Sequence, residues 1–315
     1  MEAFPTLNAG FQSTFRSGEL SLGLTVPIEA QGANPVPSLE RHVERVQLAE
    51  ELGFAAVWLR DVPFNVPSFG DAGQTFDPFV YLGTLAASTQ RIALGVASVI
   101  LPIRHPAHVA KAAASVDVLS KGRLLLGVAS GDRPQEYPAM NMGSHDRGHR
   151  FREAFQYLRA LAAPYPTFDN EMGVLDGTID MLPKPFGTRI PLLVTGGSQQ
   201  PPEWVAEHSD GWITYPRDPI RQAETVRRYR ACAAALGHRP KPVVQSLYVD
   251  LLEDEDAPPK PIHLGFQSGA NALRAYLEKI QLCGVNHVAI NLRFSSDDTE
   301  SALHRIAKEI LPAFR

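Results

Sequence analysis

One stretch, residues 92–131, limits the possible folds of this chain more than any other. Residues 92–101 form an apolar run rich in β-branched side chains, which is typical of a strand buried on both faces. After two prolines, residues 107–120 carry apolar side chains at helical spacing, and residues 124–130 form a second apolar run. Two buried strands joined by a crossover helix form a right-handed βαβ unit, so the pattern predicts a parallel sheet.

The same alternation extends along the whole chain. Eight predicted strands, each followed by a predicted helix, cover residues 20–28, 55–59, 92–101, 124–130, 191–195, 211–215, 242–252 and 287–292. This order is typical of a (β/α)8 TIM barrel, which we predict as an α/β fold in a single domain, residues 1–315, with loop insertions at its C-terminal face. The competing doubly wound sheet is expected to carry a glycine-rich turn after its first strand, and Val26-Pro27-Ile28 is not such a turn.

The connecting segments carry weaker signals. Residues 1–19 indicate an irregular arm, and Ser38 is a suitable N-cap for a helix starting at Leu39. The proline- and glycine-rich residues 164–189 predict an excursion with short strands around 177–182. Residues 132–146 and 253–267 are predicted loops, because neither stretch shows a regular apolar period.

Composition limits the partners of the 315-residue chain. Its net charge is −4, which gives no indication of a nucleic-acid or membrane-surface partner. No apolar run approaches the roughly 20 residues of a membrane span, and the N-terminus lacks the order of a signal peptide. We therefore expect a cytoplasmic protein. Cys232 and Cys283 are expected to be buried, reduced thiols, and no Cys/His spacing indicates a metal site.

Charged residues follow the second and third predicted strands, at the face where barrel enzymes carry their active sites. Arg60 and Asp61 come directly after a buried run, and Arg104 and His105 follow the third strand. We predict Arg60, Asp61 and His105 as candidate catalytic residues that line the pocket, with His105 as a possible acid or base. The alternatives are structural, namely an ion pair between Arg104 and Asp61 and a hydrogen-bonded His105.

The segment Thr195-Gly196-Gly197-Ser198 lies between a predicted strand and a predicted helix. Glycines allow the backbone to approach a ligand closely, and a turn here can direct N–H groups and the Ser198 hydroxyl at an anion. The positive end of the following helix would add to this attraction. The segment therefore predicts a phosphate site, with a plain loop as the alternative.

Two segments resemble a known family. SVILPIRHPAHVAKAAASVDVLSKGRLLLGVASG is similar to the central segment of the bacterial luciferase-like flavin monooxygenases, and PLLVTGGSQQPPEWVAEHSDGWI is similar to their phosphate-loop segment. The resemblance covers about residues 20–314. It implies a (β/α)8 barrel that binds a reduced flavin at its C-terminal mouth and uses oxygen as cosubstrate. Where luciferase has a histidine pair, this chain has Arg60-Asp61, which argues against light emission.

The resemblance also implies where the flavin ring and phosphate bind. The phosphate is expected at Gly196, Gly197 and Ser198. A non-prolyl cis peptide or a bulge is expected at Ala97-Ser98, where it would support the flavin ring. The alternative for Ala97 and Ser98 is ordinary packing of small residues inside the barrel.

Further cofactor contacts are implied around the third and fourth strands. Ser130 takes a place where relatives can carry an arginine for the phosphate, so Arg133 or Arg150 would have to supply the charge. Arg104 is expected to face the electron-rich pyrimidine edge of the flavin. A solvated loop is the alternative for Arg133.

These observations predict an FMN-dependent monooxygenase that acts on a small organic substrate. The reduced FMN would come from a separate reductase, because no second nucleotide fingerprint is present, and the family suggests a homodimer. Two alternatives stay open at this point. One is hydride transfer with coenzyme F420, and the other is a flavin-binding protein without catalysis.

Overall fold

Eight parallel strands close into a barrel in the computed structural model, which describes residues 3–32 and 34–314. The barrel order is β1-β2-β3-β4-β7-β8-β9-β12, and β12 pairs with β1 to close the ring. The (β/α)8 prediction is therefore confirmed. The strands are β1 (Ser21–Thr25), β2 (Ala56–Leu59), β3 (Ala93–Ile100), β4 (Leu124–Ala129), β5 (Thr167–Asn170), β6 (Gly173–Asp176), β7 (Leu192–Thr195), β8 (Gly211–Thr214), β9 (Val243–Leu251), β10 (Lys260–Ile262), β11 (Gly265–Ser268) and β12 (His287–Asn291).

Helices cover the outside of the barrel and bury their apolar sides against the strands. Within the described residues, none of them has the length and apolar character needed to cross a membrane. The helices are α1 (Ala9–Thr14), α2 (His42–Leu52), α3 (Pro78–Ser88), α4 (Pro106–Leu119), α5 (Glu136–Ala139), α6 (Arg147–Ala160), α7 (Pro202–His208), α8 (Pro219–Ala235), α9 (Ala270–Leu282) and α10 (Thr299–Glu309).

The N-terminal end of the barrel is closed by α1, so the prediction of an irregular arm was wrong here. Phe11 and Phe15 are buried with the side chains that fill the barrel interior. The Asn8 side chain caps α1 and also donates to the carbonyl of Leu124, at the start of β4, at 2.8 Å. A six-residue helix is too short to show a helical period, which is why the prediction missed α1.

Helix α2 begins at His42, three residues later than predicted. The buried carboxylate of Glu29 accepts hydrogen bonds from the Ser38 and Leu39 backbone N–H groups at 2.7 and 3.0 Å. Leu39 and Arg41 have φ angles of 55° and 53°, in the left-handed region that a helix excludes. Ser38 is therefore part of the turn that Glu29 holds, and it does not cap α2.

Three predicted loop segments contain regular structure at other positions. The antiparallel hairpin β5–β6 ends at Asp176, whereas the sequence predicted strands around 177–182. Gly177 has a φ of 82°, which ends the strand. The predicted loop at 253–267 contains β10 and β11, and β11 adds to the edge of β9. The predicted loop at 132–146 contains the short helix α5.

The two cysteines, predicted to be buried, are only partly buried. Both are free thiols. Cys232 lies in α8, while Cys283 follows the last residue of α9. The Cys283 thiol lies 3.1 Å from the carbonyl oxygen of Pro219.

Arg123 ties the start of β4 to the end of α3. Its buried guanidinium donates to the carbonyls of Ala86, Thr89, Ile92 and Ser120, at 3.1, 3.0, 2.9 and 2.8 Å. It also donates to the Thr89 hydroxyl at 2.7 Å. A planar group with five donors can make this set of bonds, whereas a lysine ammonium has only three donors at one point.

We expect Arg123→Lys to lower the free energy of unfolding by about 2–3 kcal/mol, because it leaves buried carbonyls without donors. Denaturant unfolding followed by circular dichroism measures this. The matched control is Arg228→Lys, since Arg228 is exposed and its change should have almost no effect. Equal stability of the two variants would contradict this role for Arg123.

His287 is fully buried near the N-terminal end of the barrel. The Trp58 indole N–H donates to its Nε2 at 2.9 Å, so the proton of the neutral ring is on Nδ1, which lies 2.7 Å from the Ser21 hydroxyl. Glycine at positions 23 and 95 makes room for these rings, because a Cβ there would overlap His287 and Trp58. Burial lowers the pKa of His287 from 6.5 to about 3.

Between pH 6.5 and about 3, the unfolded chain binds a proton at His287 that the folded chain does not. Unfolding free energy should therefore fall as the pH drops below 6.5, by up to about 1.4 kcal/mol per pH unit from this residue. We expect His287→Gln to be less stable at pH 7 but to lose about 2 kcal/mol less than the wild type between pH 7 and 5. The control is His238→Gln at an exposed position, and a His287→Gln slope equal to wild type would exclude this linkage.

Candidate functional site

The turn after β7 offers three backbone donors at the C-terminal mouth of the barrel. Gly196 N–H donates to a carbonyl of β8, and Gln200 N–H donates to the Gly197 carbonyl, each at 2.8 Å. The N–H groups of residues 197–199 meet no acceptor in the described parts of the chain. Ser198 and Gln199 have φ angles of 46° and 61°. Consecutive free N–H groups in such a turn form a concave anion site.

The Ser198 hydroxyl does not add to this set of donors as predicted, because it donates to the carbonyl of Thr195 at 2.7 Å. Helix α7, which begins at Pro202, is only seven residues long. The backbone N–H groups of the turn therefore carry the anion-binding capacity of this segment.

Arg152 in α6 contacts the turn of residues 195–199 through Gln200, and the sequence did not predict this contact. Its guanidinium donates twice to the Gln200 side-chain oxygen, at 3.0 and 2.9 Å. The Gln200 amide donates to the carbonyl of Gly148 at 2.7 Å, which joins the turn to the first residues of α6. An arginine on a helix face gives no sequence signal for such a role, because most helical arginines are solvated.

The Ala97-Ser98 peptide is cis, as expected for this position. The pairing of β3 with β4 also shifts register between Val96 and Val99. The Ser98 hydroxyl forms a hydrogen bond with the Thr195 hydroxyl at the end of β7. The irregular part of β3 therefore lies beside the turn of residues 195–199 at the mouth.

Asp61 and Arg104 form the ion pair that the sequence offered as the structural alternative. The Asp61 carboxylate accepts from Arg104 Nε at 2.9 Å and from Arg104 Nη2 at 2.7 Å, and it also accepts from Ile100 N–H at 3.1 Å. Arg104 Nη2 lies 2.9 Å from Asp77 as well. The pair therefore fixes the ends of β2 and β3 relative to each other.

Arg60 contacts the loop of residues 62–76, which follows β2. Its Nη2 donates to Asp71 at 2.6 Å, and its backbone N–H and carbonyl pair with the side-chain amide of buried Gln74. Burial favours the neutral form of Asp71, but the hydrogen bond to Arg60 and the charges of Arg60 and Arg293 outweigh it and lower the pKa of Asp71.

Arg133 lies with this loop and makes no contact with the turn of residues 195–199. It is buried, its guanidinium stacks on the ring of Phe69 at 4.3 Å, and its Nη2 lies 3.4 Å from the Asp71 carbonyl. Arg150 donates to the carbonyl of Pro102 at 3.2 Å. The suggestion that Arg133 or Arg150 supplies charge at the turn therefore has no supporting contact.

His105 caps α4. Its Nδ1 accepts from the Ala107 N–H at 3.2 Å, and its Nε2 lies 3.2 Å from the carbonyl of Met172. Both ring nitrogens thus have partners, which agrees with the structural alternative for His105. Its catalytic role stays a prediction without a contact that favours it.

Ser130 is buried directly after β4, and its carbonyl accepts a hydrogen bond from the Tyr137 hydroxyl. Burial raises the pKa of Tyr137 to about 12, so this phenol stays protonated and keeps donating at neutral pH. Tyr137 thereby holds the chain after β4. The part of the chain that the structure describes contains no group of three or more His, Cys, Asp or Glu side chains arranged to hold a metal ion.

Sequence similarity links this chain to proteins of Mycobacterium tuberculosis. The chain is 34% identical over 226 residues to the uncharacterized protein Rv0953c of Mycobacterium tuberculosis, covering 66% of this chain and 79% of that protein. It is 32% identical over 213 residues to an F420-dependent hydroxymycolic acid dehydrogenase of the same species, covering 64% of this chain and 56% of the dehydrogenase.

The fold is also similar to a solved structure. The oxygenating constituent of 3,6-diketocamphane monooxygenase of Pseudomonas putida, in complex with FMN, superimposes with a TM-score of 0.73 at 14% identity over 93% of this chain and 98% of that chain. The family of luciferase-like monooxygenases matches residues 20–258 of the present sequence. With this match over most of its length, the chain belongs to the luciferase-like monooxygenase family.

Proposed function

We propose that this protein is an oxidoreductase that uses reduced FMN and oxygen to oxidise a small organic substrate. The observation that carries the proposal is the row of free N–H groups at residues 197–199, in a turn at the mouth of a luciferase-like barrel. Backbone donors of this kind suit a phosphate dianion. The phosphate of FMN would bind there, with Gly196 and Gly197 allowing its close approach.

The remaining residues of the mouth have supporting roles in this proposal. Ala97 and Ser98 would lie along the flavin ring, and the Ser98–Thr195 hydrogen bond would hold that part of β3 next to the phosphate turn. The Asp61–Arg104 pair would keep the pocket wall rigid. Bound reduced flavin supplies the electrons and the reactive carbon for oxygen chemistry, while the protein orients the substrate and excludes water.

The partners follow from the same proposal. The sequence carries no second nucleotide-binding fingerprint, so a separate reductase would supply the reduced flavin. A homodimer and a cytoplasmic location are part of the proposal as well. A flavin-binding protein without catalysis is the less favoured alternative, because the family is one of monooxygenases.

The second candidate is hydride transfer with coenzyme F420, and one observation favours it. A relative with 32% identity is an F420-dependent dehydrogenase. A phosphate site at the turn of residues 195–199 is compatible with either cofactor, because both carry a phosphate group on the ribityl chain of the ring system. The two candidates differ in the acceptor of the electrons. Reduced FMN would pass them to oxygen, whereas hydride transfer would pass them to the organic substrate or to F420 itself.

We expect Ser198→Asp to weaken FMN binding by about 10- to 100-fold, because it puts a negative charge beside the phosphate dianion. Aspartate tolerates the left-handed backbone of Ser198 but cannot donate to the Thr195 carbonyl, so riboflavin binding serves as the check that the turn keeps its shape. The measurement is a titration followed by the visible spectrum of the flavin.

The matched control for that titration is Ser198→Asn, which has nearly the same shape without the charge and should bind FMN within about threefold of wild type. Riboflavin, which lacks the phosphate, should bind the Asp and Asn variants equally. Unchanged FMN affinity in Ser198→Asp would remove the phosphate from this turn.

Parallel anaerobic titrations distinguish the two cofactors. We expect reduced FMN to bind more tightly than oxidised FMN and F420, since the proposed reaction begins from the reduced flavin. Protein fluorescence and the flavin spectrum report binding. Binding of F420 alone, with no response to either form of FMN, would favour hydride transfer and contradict the monooxygenase proposal.

A further inference from the structure

Three arginines contact one loop residue, Asp71, at the mouth of the barrel: two reach its carboxylate and one its backbone carbonyl. We call Arg60, Arg133 and Arg293 the arginine cluster. They follow β2, β4 and β12 respectively, so three separate strand ends contribute one guanidinium each. We propose that the arginine cluster binds an anionic group of the substrate, a carboxylate or a phosphate ester, in the place that the Asp71 carboxylate now occupies. This inference rests on the proposed oxidoreductase function and adds the class of its substrate.

The Asp71 carboxylate marks where an anion binds. Its two oxygens lie 2.6 Å from Arg60 Nη2 and 3.0 Å from Arg293 Nη1. The backbone carbonyl of the same residue lies 3.4 Å from Arg133 Nη2. A carboxylate of a ligand has the same shape and charge as this side chain and could accept the same hydrogen bonds.

The arginine cluster has more donors than its present partners use. The Nε atom of each of the three guanidinium groups is buried and has no hydrogen-bond partner among the described residues. Arg133 itself is only 5% exposed. Buried donors without acceptors are unfavourable, so an anion with several oxygens would gain from binding here.

Two other acidic residues lie near the cluster without a hydrogen bond to it. Glu136 is buried and lies 3.7 Å from Arg133 Nη1, beyond hydrogen-bond distance. Burial raises the pKa of Glu136, which favours its neutral form. The negative charge of Asp132 favours the charged form of Arg60 and raises its pKa. Asp71 is thus the carboxylate that is hydrogen-bonded to the cluster.

Asp71 lies on a loop with little regular structure. The loop of residues 62–76 contains a single 3₁₀ turn, Pro67–Phe69, and no longer element. Gly70 and Gly73, on either side of Asp71, have φ angles of 76° and 61°. Exchange of the Asp71 carboxylate for a ligand anion leaves the arginines paired, so no charge becomes buried alone.

The same loop presents apolar surface for the rest of the ligand. Phe69 is 45% exposed although the guanidinium of Arg133 covers one face of its ring, and Phe64 is 41% exposed. An organic acid or phosphate ester with an apolar body would place its anion on the arginine cluster and its apolar part against Phe69 and Phe64.

The test is calorimetric titration of the flavin-free, full-length protein with malonate and with methyl phosphate. We expect Asp71→Asn to bind both anions at least tenfold more tightly than the wild type, because it removes the competing charge while its amide oxygen still accepts from Gly73 N–H. Added to Asp71→Asn, the changes Arg133→Met and Arg293→Met together should weaken anion binding at least tenfold. The control in the same background, Arg221→Met on the exposed surface of α8, should bind the anions like Asp71→Asn alone.

Two further arms separate this site from the cofactor turn. In the Asp71→Asn background, Ser198→Asp should leave malonate binding unchanged, whereas anion binding confined to the turn would be lost with it. Equal gains for malonate and methyl phosphate indicate a general anion site, and a gain for one identifies that group. Failure of Asp71→Asn to bind either anion more tightly than wild type would overturn the proposal, and FMN titration of the same variant reports the cofactor site independently.

Discussion

Pairing of β12 with β1 closes the sheet into a ring, and the site depends on this closure. The register of the pair runs from Ser21 opposite His287 to Leu24 opposite Ile290. Because all eight strands are parallel, closure brings their carboxyl ends to one rim. Residues as distant in sequence as Arg60, Ser98 and Arg293 therefore share one mouth, although they are joined by no local structure.

Interior side chains pack together at the N-terminal end of the barrel. The Trp58 ring lies over Gly95 and donates its N–H to His287, and α1 covers these side chains from outside the barrel. Both ring nitrogens of His287, buried at this N-terminal end, have hydrogen-bond partners and serve stability. At the C-terminal end, donors without partners remain both in the turn of residues 195–199 and in the arginine cluster.

These two groups of donors are suited to different ligands. Backbone N–H groups in a glycine-rich turn are fixed in place and approach a phosphate closely, which suits a cofactor that is always the same. Guanidinium groups on three strand ends are longer and can adjust, and one of them stacks on Phe69. Together they suggest a mouth in which separate groups of donors recognise the cofactor's phosphate and the substrate's charge.

The sequence predicted the eight barrel strands and most helices well, because buried parallel strands are continuous apolar runs. It also located the irregular Ala97-Ser98 peptide and the turn of residues 195–199 through the family resemblance. The parts that it missed depend on contacts between distant residues. The start of α2 depends on Glu29, and the position of Arg133 depends on Asp71, which lies in a loop without periodicity.

The most direct test is a crystal structure of the full-length protein with FMN bound. We expect the phosphate within hydrogen-bond distance of the N–H groups of residues 197–199, with the ring system beside Ala97 and Ser98 and the arginine cluster left for another ligand. An FMN phosphate bound by Arg60, Arg133 or Arg293, with the turn of residues 195–199 empty of ligand contacts, would contradict it.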